Sequence, residues 1–262
     1  MLRSLRTAAL GMAAQQLNID TIANNLANVN TTGYKKSNVG FQDLLYETIH
    51  SGNISGKDDK EKPSEIQIGM GNKPVSTFRS FSQGAIEETG NPLDIAINGK
   101  GFLQILKTDG SYAYTRDGSF QINSKGSLVT AAGLSIYPEM GIPEGISGIN
   151  ISQDGVISVI IQGQPDPEEI GQMELVTFMN PAGLRAIGGN LFEQTEASGQ
   201  PSYGLPAEEG FGSIAQGYLE KSNVDVVQEM INLIVSQRAY EINSKVVKTS
   251  DEILAMTNSL KR

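Results

Sequence analysis

The sequence predicts an α+β protein: long N- and C-terminal helices form a coiled-coil root, and an antiparallel β-sandwich or barrel-like domain is inserted between them. Three observations carry that expectation. Helix breakers are partitioned, since residues 37–219 hold 27 of the 29 Gly and all 10 Pro. Both breaker-poor ends carry apolar residues at spacings of three and four, the period of an amphipathic helix. The middle is cut into short apolar runs by turn dipeptides, the pattern of an antiparallel sheet.

Residues 1–36 are read as the N-terminal helix. Leu2, Leu5, Ala9, Met12, Gln16, Ile19, Ala23 and Leu26 make one stripe, with Leu10, Ala13 and Leu17 a partial second one. Asn crowds the second half, and Asn is a mediocre helix former, so this helix needs partners to persist. Thr31-Thr32-Gly33 is expected to end it, with Gly33 as the residue just past the last turn.

Residues 37–90 are expected to form an extended or β excursion with a flexible part at 47–66, where Lys57-Asp58-Asp59-Lys60-Glu61-Lys62 is a charge run before Pro63. Residues 91–196 read as the β domain. Its turn signals are Asn98-Gly99, Asp109-Gly110, Asp117-Gly118, Lys125-Gly126, Asp154-Gly155 and Gln162-Gly163. Residues 197–217, with Pro201, Pro206 and five Gly, read as a return linker.

Residues 218–262 are read as the C-terminal helix. One stripe runs Val224, Gln228, Ile231, Val235, Ala239, Ile242, Val246, Thr249, Ile253, Met256, Leu260; a second includes Val226, Met230, Leu233, Tyr240, Val247 and Leu254. The two stripes lie on nearly opposite faces, and a helix apolar on two faces asks to be buried between neighbours. The expected seam of a multi-chain coil is therefore Leu2, Leu5, Met12, Ile19, Leu26, Ile231, Val235, Ile242, Val246, Ile253, Met256 and Leu260. An ordinary two-helix hairpin closing one globular domain is the simpler alternative.

Charge follows the same partition. The formal charge of −9 divides into +3 over residues 1–36, −12 over 37–219 and zero over 220–262. An acidic chain without Lys/Arg clusters is not expected to take nucleic acid as its partner. No run of about 18 apolar residues offers a transmembrane helix, and the N-terminus lacks the apolar core of a secretory signal peptide. The absence of Cys removes thiolate catalysis and Cys-ligated metals, and a single His removes a multi-His centre.

Candidate chemistry is sparse. Asp94, Asp109, Asp117 and Asp154 include the carboxylates of a hypothetical glycoside-cleaving pair, but three of them sit in turn dipeptides, where Asp serves local hydrogen bonding. Gly99-Lys100-Gly101 and Gly69-Met70-Gly71 do not extend to a dinucleotide or Walker pattern. His50 lies in the polar excursion with no nucleophile near it in sequence. No enzyme, cofactor or metal is expected.

Longer motifs identify a resemblance. Leu5-Arg6-Thr7-Ala8-Ala9-Leu10-Gly11-Met12 and Asn24-Asn25-Leu26-Ala27-Asn28-Val29-Asn30-Thr31-Thr32-Gly33-Tyr34-Lys35 resemble the N-terminal signature of flagellar axial proteins, the rod and hook family. Asn91-Pro92-Leu93-Asp94-Ile95-Ala96-Ile97-Asn98-Gly99-Lys100-Gly101-Phe102 and Tyr114-Thr115-Arg116-Asp117-Gly118-Ser119-Phe120 resemble the start of their β domain. Ser222-Asn223-Val224-Asp225, Met230-Ile231-Asn232 and Gln237-Arg238-Ala239-Tyr240-Glu241 resemble their C-terminal signature. The length, together with Phe41-Gln42-Asp43-Leu44-Leu45-Tyr46, Gly69-x-Gly71 and Phe81-Ser82-Gln83-Gly84, is most similar to the distal rod members.

The resemblance implies a structural subunit of the flagellar basal-body rod. It implies self-assembly into a helical tube with paired terminal helices inside and the β domain outside, passing motor torque to the hook and lining part of the export channel. It implies contact with proximal rod proteins, the hook protein, the P- and L-ring bushing proteins, the rod-cap protein and the flagellar type III export apparatus. The location implied is the periplasmic rod of the basal body, reached without a cleaved signal peptide and without membrane insertion. Glu47, Thr48, His50, Lys57, Asp58, Lys60 and Lys62 fall where rod members carry a segment that sets them apart from the hook, although here it is rich in Lys and Asp. A proximal rod protein is the nearest alternative, and a secreted carbohydrate-binding or adhesin β domain with helical arms is one from another class. The absence of Trp disfavours sugar stacking.

Overall fold

The computed structural model describes residues 2–49, 66–143, 145–162 and 166–259. The described residues form two compact units, the first drawn from the stretches 1–25, 37–78 and 226–262 and the second from 26–36 and 79–225. Both ends of the chain are helical and the strands fall between them, an α+β composition.

The first unit holds α1 (Leu2–Ala27) and α2 (Val226–Ser259). They run antiparallel, because residues rising along α1 meet residues falling along α2: Ser4 meets Ser250, Asn18 meets Ser236, and Asn25 meets Glu229. Four strands join them: β1 (Ser37–Asp43), β2 (Tyr46–Ile49), β3 (Ile66–Gly69) and β4 (Asn72–Arg79). β1 pairs with β4, and β2 pairs antiparallel with β3 from Tyr46 opposite Gly69 to Ile49 opposite Ile66. The Asn25 amide ties helix to ribbon, accepting from the Ser37 N–H at 2.9 Å and donating to its carbonyl at 2.8 Å.

α1 stops at Ala27, six residues before Gly33. Gly33 is therefore not the residue that ends the helix. It has φ +65°, and a Cβ there would stand 2.6 Å from the Asp117 amide nitrogen, so both conformation and contact require Gly.

The second unit is built from β5 (Ile86–Glu88), β6 (Ile95–Asn98), β7 (Phe102–Leu106), β8 (Tyr112–Thr115), β9 (Phe120–Ile122), β10 (Leu128–Thr130), β11 (Ser135–Tyr137), β12 (Ile146–Ile151), β13 (Val156–Ile161), β14 (Glu168–Gln172), β15 (Leu175–Thr177), β16 (Arg185–Gly188), β17 (Leu191–Glu193), β18 (Ser202–Gly204), β19 (Ser213–Gln216) and β20 (Tyr218–Glu220). Among the described residues the largest sheet has nine strands in the order β16-β17-β8-β7-β11-β10-β9, with β15 on β7 and β18 on β15. β7 is its hub: Phe102 and Leu103 pair with β15, while Gln104, Ile105 and Leu106 pair with β11. β12-β13-β14 form a three-stranded sheet, and β6–β19 and β5–β20 are separate pairs.

β7 is apolar but for the buried Gln104, and this has a physical reason. Leu103 and Ile105 join one core with Ile95, Ile157, Met173 and Leu175, whereas Phe102 joins a second with Tyr114, Val176, Phe178 and Phe192. With both faces covered, a strand has no polar side to alternate with. Edge-on ring pairs hold the second core, Tyr114 against Phe178 at 4.8 Å and Phe81 against Phe192 at 5.2 Å.

Two spans depart from expectation. Residues 197–217, read as a linker, supply β18 and β19, which pair with β15 and β6; their Gly and Pro bound short strands rather than loosen the chain. Residues 218–225 are not helical, because β20 lies there paired with β5, and α2 begins only at Val226.

Candidate assembly surface

The two helices meet through small and polar side chains. On α1 the buried residues are Ala8, Ala14, Ile22 and Asn25, and on α2 they are Glu229, Ser236 and Ser250. The Asn18 amide donates to the Ser236 hydroxyl at 2.8 Å, and the Asn25 amide donates to the Glu229 carboxylate at 3.3 Å. Of the α2 stripes, Leu233, Val247 and Leu254 are half-buried.

None of the described residues of the expected subunit seam is among the buried residues of the helix pair. Ile231, Val235, Ile242, Val246, Ile253 and Met256 are between 40% and 63% exposed, and Leu5, Met12, Ile19 and Leu26 are half-buried. The side chain of Leu2 and the whole of Leu260 lie outside the described residues. A single chain therefore presents a row of large aliphatic side chains on α2 to solvent, the kind of contiguous apolar surface that marks an interaction site.

The two ribbons of the first unit also expose apolar side chains. Phe41, Leu45, Tyr46, Ile68, Val75 and Phe78 are all exposed. A two-stranded ribbon is only marginally stable in water by itself. Glu47 and Thr48 lie on β2, half-buried, and Glu47 forms an ion pair with Arg3 of α1 at 2.5 Å. His50, Lys57, Asp58, Lys60 and Lys62 lie outside the described residues.

The second unit also holds a buried charge cluster. The Lys35 ammonium donates to Glu220 Oε1 at 2.6 Å and to the Ser82 carbonyl at 2.8 Å; Arg116 Nε donates to Glu220 Oε2 at 2.8 Å. The Gly84 amide also donates to Oε1 at 2.8 Å. Lys35 and Glu220 are wholly removed from solvent and Arg116 nearly so. Burial holds the Lys35 ammonium below the usual lysine range, outweighing the pull of the Glu220 carboxylate, and the nearby Arg116 charge lowers it further. The three residues are scattered over the chain, so no local period announces them. The available signal was a lone charge beside apolar residues, as in Ala113-Tyr114-Thr115-Arg116 and Tyr218-Leu219-Glu220.

Three of the carboxylates considered for catalysis make structural hydrogen bonds. Asp94 accepts from Thr89 and Asn91, Asp109 from the Ser111 amide and hydroxyl, and Asp117 from Ser119, Thr32 and Asn190. The Ser111 hydroxyl and amide hold the Asp109 carboxyl below the usual carboxylate range. The Asp154 backbone carbonyl accepts from Gln172. In the Gly99-Lys100-Gly101 turn, the Gly99 carbonyl accepts from Arg116 and the Lys100 carbonyl from the Gly212 amide, so that turn serves the fold. Among the described residues no helix is long and apolar enough to cross a membrane.

Comparison with known proteins follows the same division of the chain. The family model described as flagella basal body rod protein matches residues 5–35. The model for the D1 domain of the flagellar hook protein FlgE/F/G matches residues 96–159, and that for the C-terminal part of the flagellar basal body rod FlgEFG protein matches residues 215–260. The flagellar basal-body rod protein FlgG of Borreliella burgdorferi is 50% identical over 264 residues, covering 100% of both chains. That of Caulobacter vibrioides is 48% identical, covering 99% of this chain and 100% of its own. That of Bacillus subtilis is 40% identical over 100% of both.

Proposed function

The chain belongs to the FlgG family of flagellar basal-body rod proteins, structural proteins rather than an enzyme class, and from that premise we propose that it is a distal rod subunit that polymerises with copies of itself into a helical tube. In this reading α1 and α2 form a coiled-coil root, and the tube passes motor torque to the hook and forms part of the export channel. Proximal rod proteins, the hook protein, the P- and L-ring bushing proteins, the rod-cap protein and the type III export apparatus are its partners in the periplasmic rod. The segment containing Glu47, Thr48, His50, Lys57, Asp58, Lys60 and Lys62 distinguishes rod from hook. The subunit's domains are the helical segments at 1–36 and 218–262 about the β-rich domain at 91–196, with α1 ending at Ala27, β18 and β19 within 197–217, and β20 ahead of α2.

One observation supports polymerisation above the rest. A 34-residue helix exposes Ile231, Val235, Ile242, Val246, Ile253 and Met256, surface that folding of one chain leaves uncovered. Covering an aliphatic side chain is worth about 1.5–3 kcal/mol. These side chains are 40–63% exposed, so each added subunit would gain roughly half of that at each of them.

The test is Val235→Asp combined with Ile242→Asp, introduced into a strain lacking its own copy. Basal bodies viewed by electron microscopy are expected to carry truncated rods, and the cells to be non-motile. Far-ultraviolet circular dichroism of the purified variant should match the parent chain. Full-length rods in that strain would refute the assignment of this stripe to subunit contact.

A further inference from the structure

The helix pair contains a second heptad pattern, and it is polar. Along α1 the residues Ser4, Gly11, Asn18 and Asn25 follow one another in steps of seven. Their partners on α2 are Ser250, Asn243, Ser236 and Glu229, which recede in steps of seven. One register therefore holds along the length of the pair. We propose that these four layers are a self-recognition seam, which makes α2 take α1 of its own chain as partner in a single register and leaves the apolar stripes to other copies.

The layers match in size and in hydrogen bonding. The Ser4 and Ser250 hydroxyls lie 3.5 Å apart, two small groups facing. Gly11 faces the Asn243 amide, and a Cβ on Gly11 would stand 2.8 Å from Asn243 Nδ2. Asn18 then faces the small Ser236, donating at 2.8 Å, and Asn25 faces Glu229, donating at 3.3 Å. Where one helix is large the other is small, except at Asn25 and Glu229, which meet as donor and acceptor.

A slip of one heptad spoils this match in either direction. Shifted one way, Gly11 faces Ser236 and leaves a gap, while Asn243 comes against Ser4. Shifted the other way, Asn18 meets Asn243, two amides where the present register sets one against Gly, and Glu229 faces a position beyond Ala27, past the end of α1. An apolar stripe from another copy fares worse, since it would leave Asn25, Ser236 and Glu229 buried against hydrocarbon. Polar layers of this kind give up stability in a helical seam and gain a defined register and partner.

This inference extends the assembly reading but is tested apart from it. The chain contains no Cys, so engineered pairs report without background. The full-length purified protein is made with Ser4→Cys and Ser250→Cys, and separately with Ser4→Cys and Asn243→Cys, the slipped pair. Under mild oxidation the in-register pair is expected to close within one chain about tenfold faster or more, because a slip strands hydrogen-bonding groups. A third protein adds Asn18→Ser and Ser236→Asn to the in-register pair, reversing one layer; it is expected to keep the fast closure that Asn18→Ser alone loses. Equal closure of the two pairs, disulfides formed between chains, or no recovery on reversal would each overturn the proposal. The assay reads pairing within a chain and not rod growth, so its failure leaves the assembly reading to its own test.

Discussion

Lys35 Nζ and Glu220 Oε1 meet at 2.6 Å with both side chains wholly out of solvent, and Arg116 shares the same carboxylate. One anion thus serves two cations. Replacing Glu220 with Ala leaves both cations buried without a counter-charge, and a broken buried pair costs about 3–5 kcal/mol. Lys35→Met leaves the Arg116–Glu220 pair intact and is expected to change stability by no more than about 1 kcal/mol. Urea unfolding of the two variants should rank them in that order.

The same cluster sets a response to alkaline pH. Burial holds the folded-state pKa of Lys35 below the ordinary value of 10.5. Between the folded and unfolded values, the unfolded chain binds the additional proton. Stability therefore rises with pH across that window and levels off above the unfolded value. Unfolding followed from neutral to alkaline pH should show this contribution in the parent chain and lose it in Lys35→Met.

Gly118 stands where a side chain meets backbone. A Cβ there would lie 1.6 Å from the Ile95 carbonyl oxygen, the same stretch in which the Ile95 amide donates to the Gly118 carbonyl at 3.0 Å. Gly118→Ala is expected to cost about 3 kcal/mol or more, since neither partner can move without breaking that bond. Gly148 has open space around its missing Cβ. Gly148→Ala should fall within about 0.5 kcal/mol of the parent in the same melt.

Asn25 does two tasks with one amide, clasping both backbone groups of Ser37 and donating to Glu229. Asn25→Ala removes all three bonds and leaves the Glu229 carboxylate buried without that donor. The expected loss is about 2–4 kcal/mol, confined to the first unit. Hydrogen exchange should quicken in α1, α2 and β1 while β7 and β8 keep their protection.

Much of the architecture was readable from local chemistry. The helical ends follow from the absence of breakers. Asp109-Gly110, Lys125-Gly126 and Asp154-Gly155 each place Gly at φ near +80°, where only Gly is unstrained, so the turns between strands were legible. Sheet order was not: nothing near Phe102 in sequence says that β7 divides one edge between β11 and β15. The pairing of the two helices within one chain was not legible for a related reason. A hydrophobic reading of the heptads selects Ile231, Val235 and Ile242, whereas the pairing within the chain runs through Asn18, Ser236 and Glu229, residues that such a reading discards. Lys35, Arg116 and Glu220 were missed because a buried charge is favourable only with its partner present, and the partners lie far apart in the chain.

Segments 33–36 and 220–223 are stitched side by side. The Gly33 amide donates to the Glu220 carbonyl, the Asn223 amide to the Tyr34 carbonyl, and the Lys36 amide to the Asn223 side chain. The two segments run in the same direction, one leaving α1 and the other leading into α2. Tension from the α1 side draws the first segment toward its N-terminal end, and tension from the α2 side draws the second toward its C-terminal end. The stitches and the Lys35–Glu220 bond are then loaded together in shear, not peeled one by one. A bond set loaded in parallel yields only when several members fail at once, so this short splice acts as a clamp and not as a zipper.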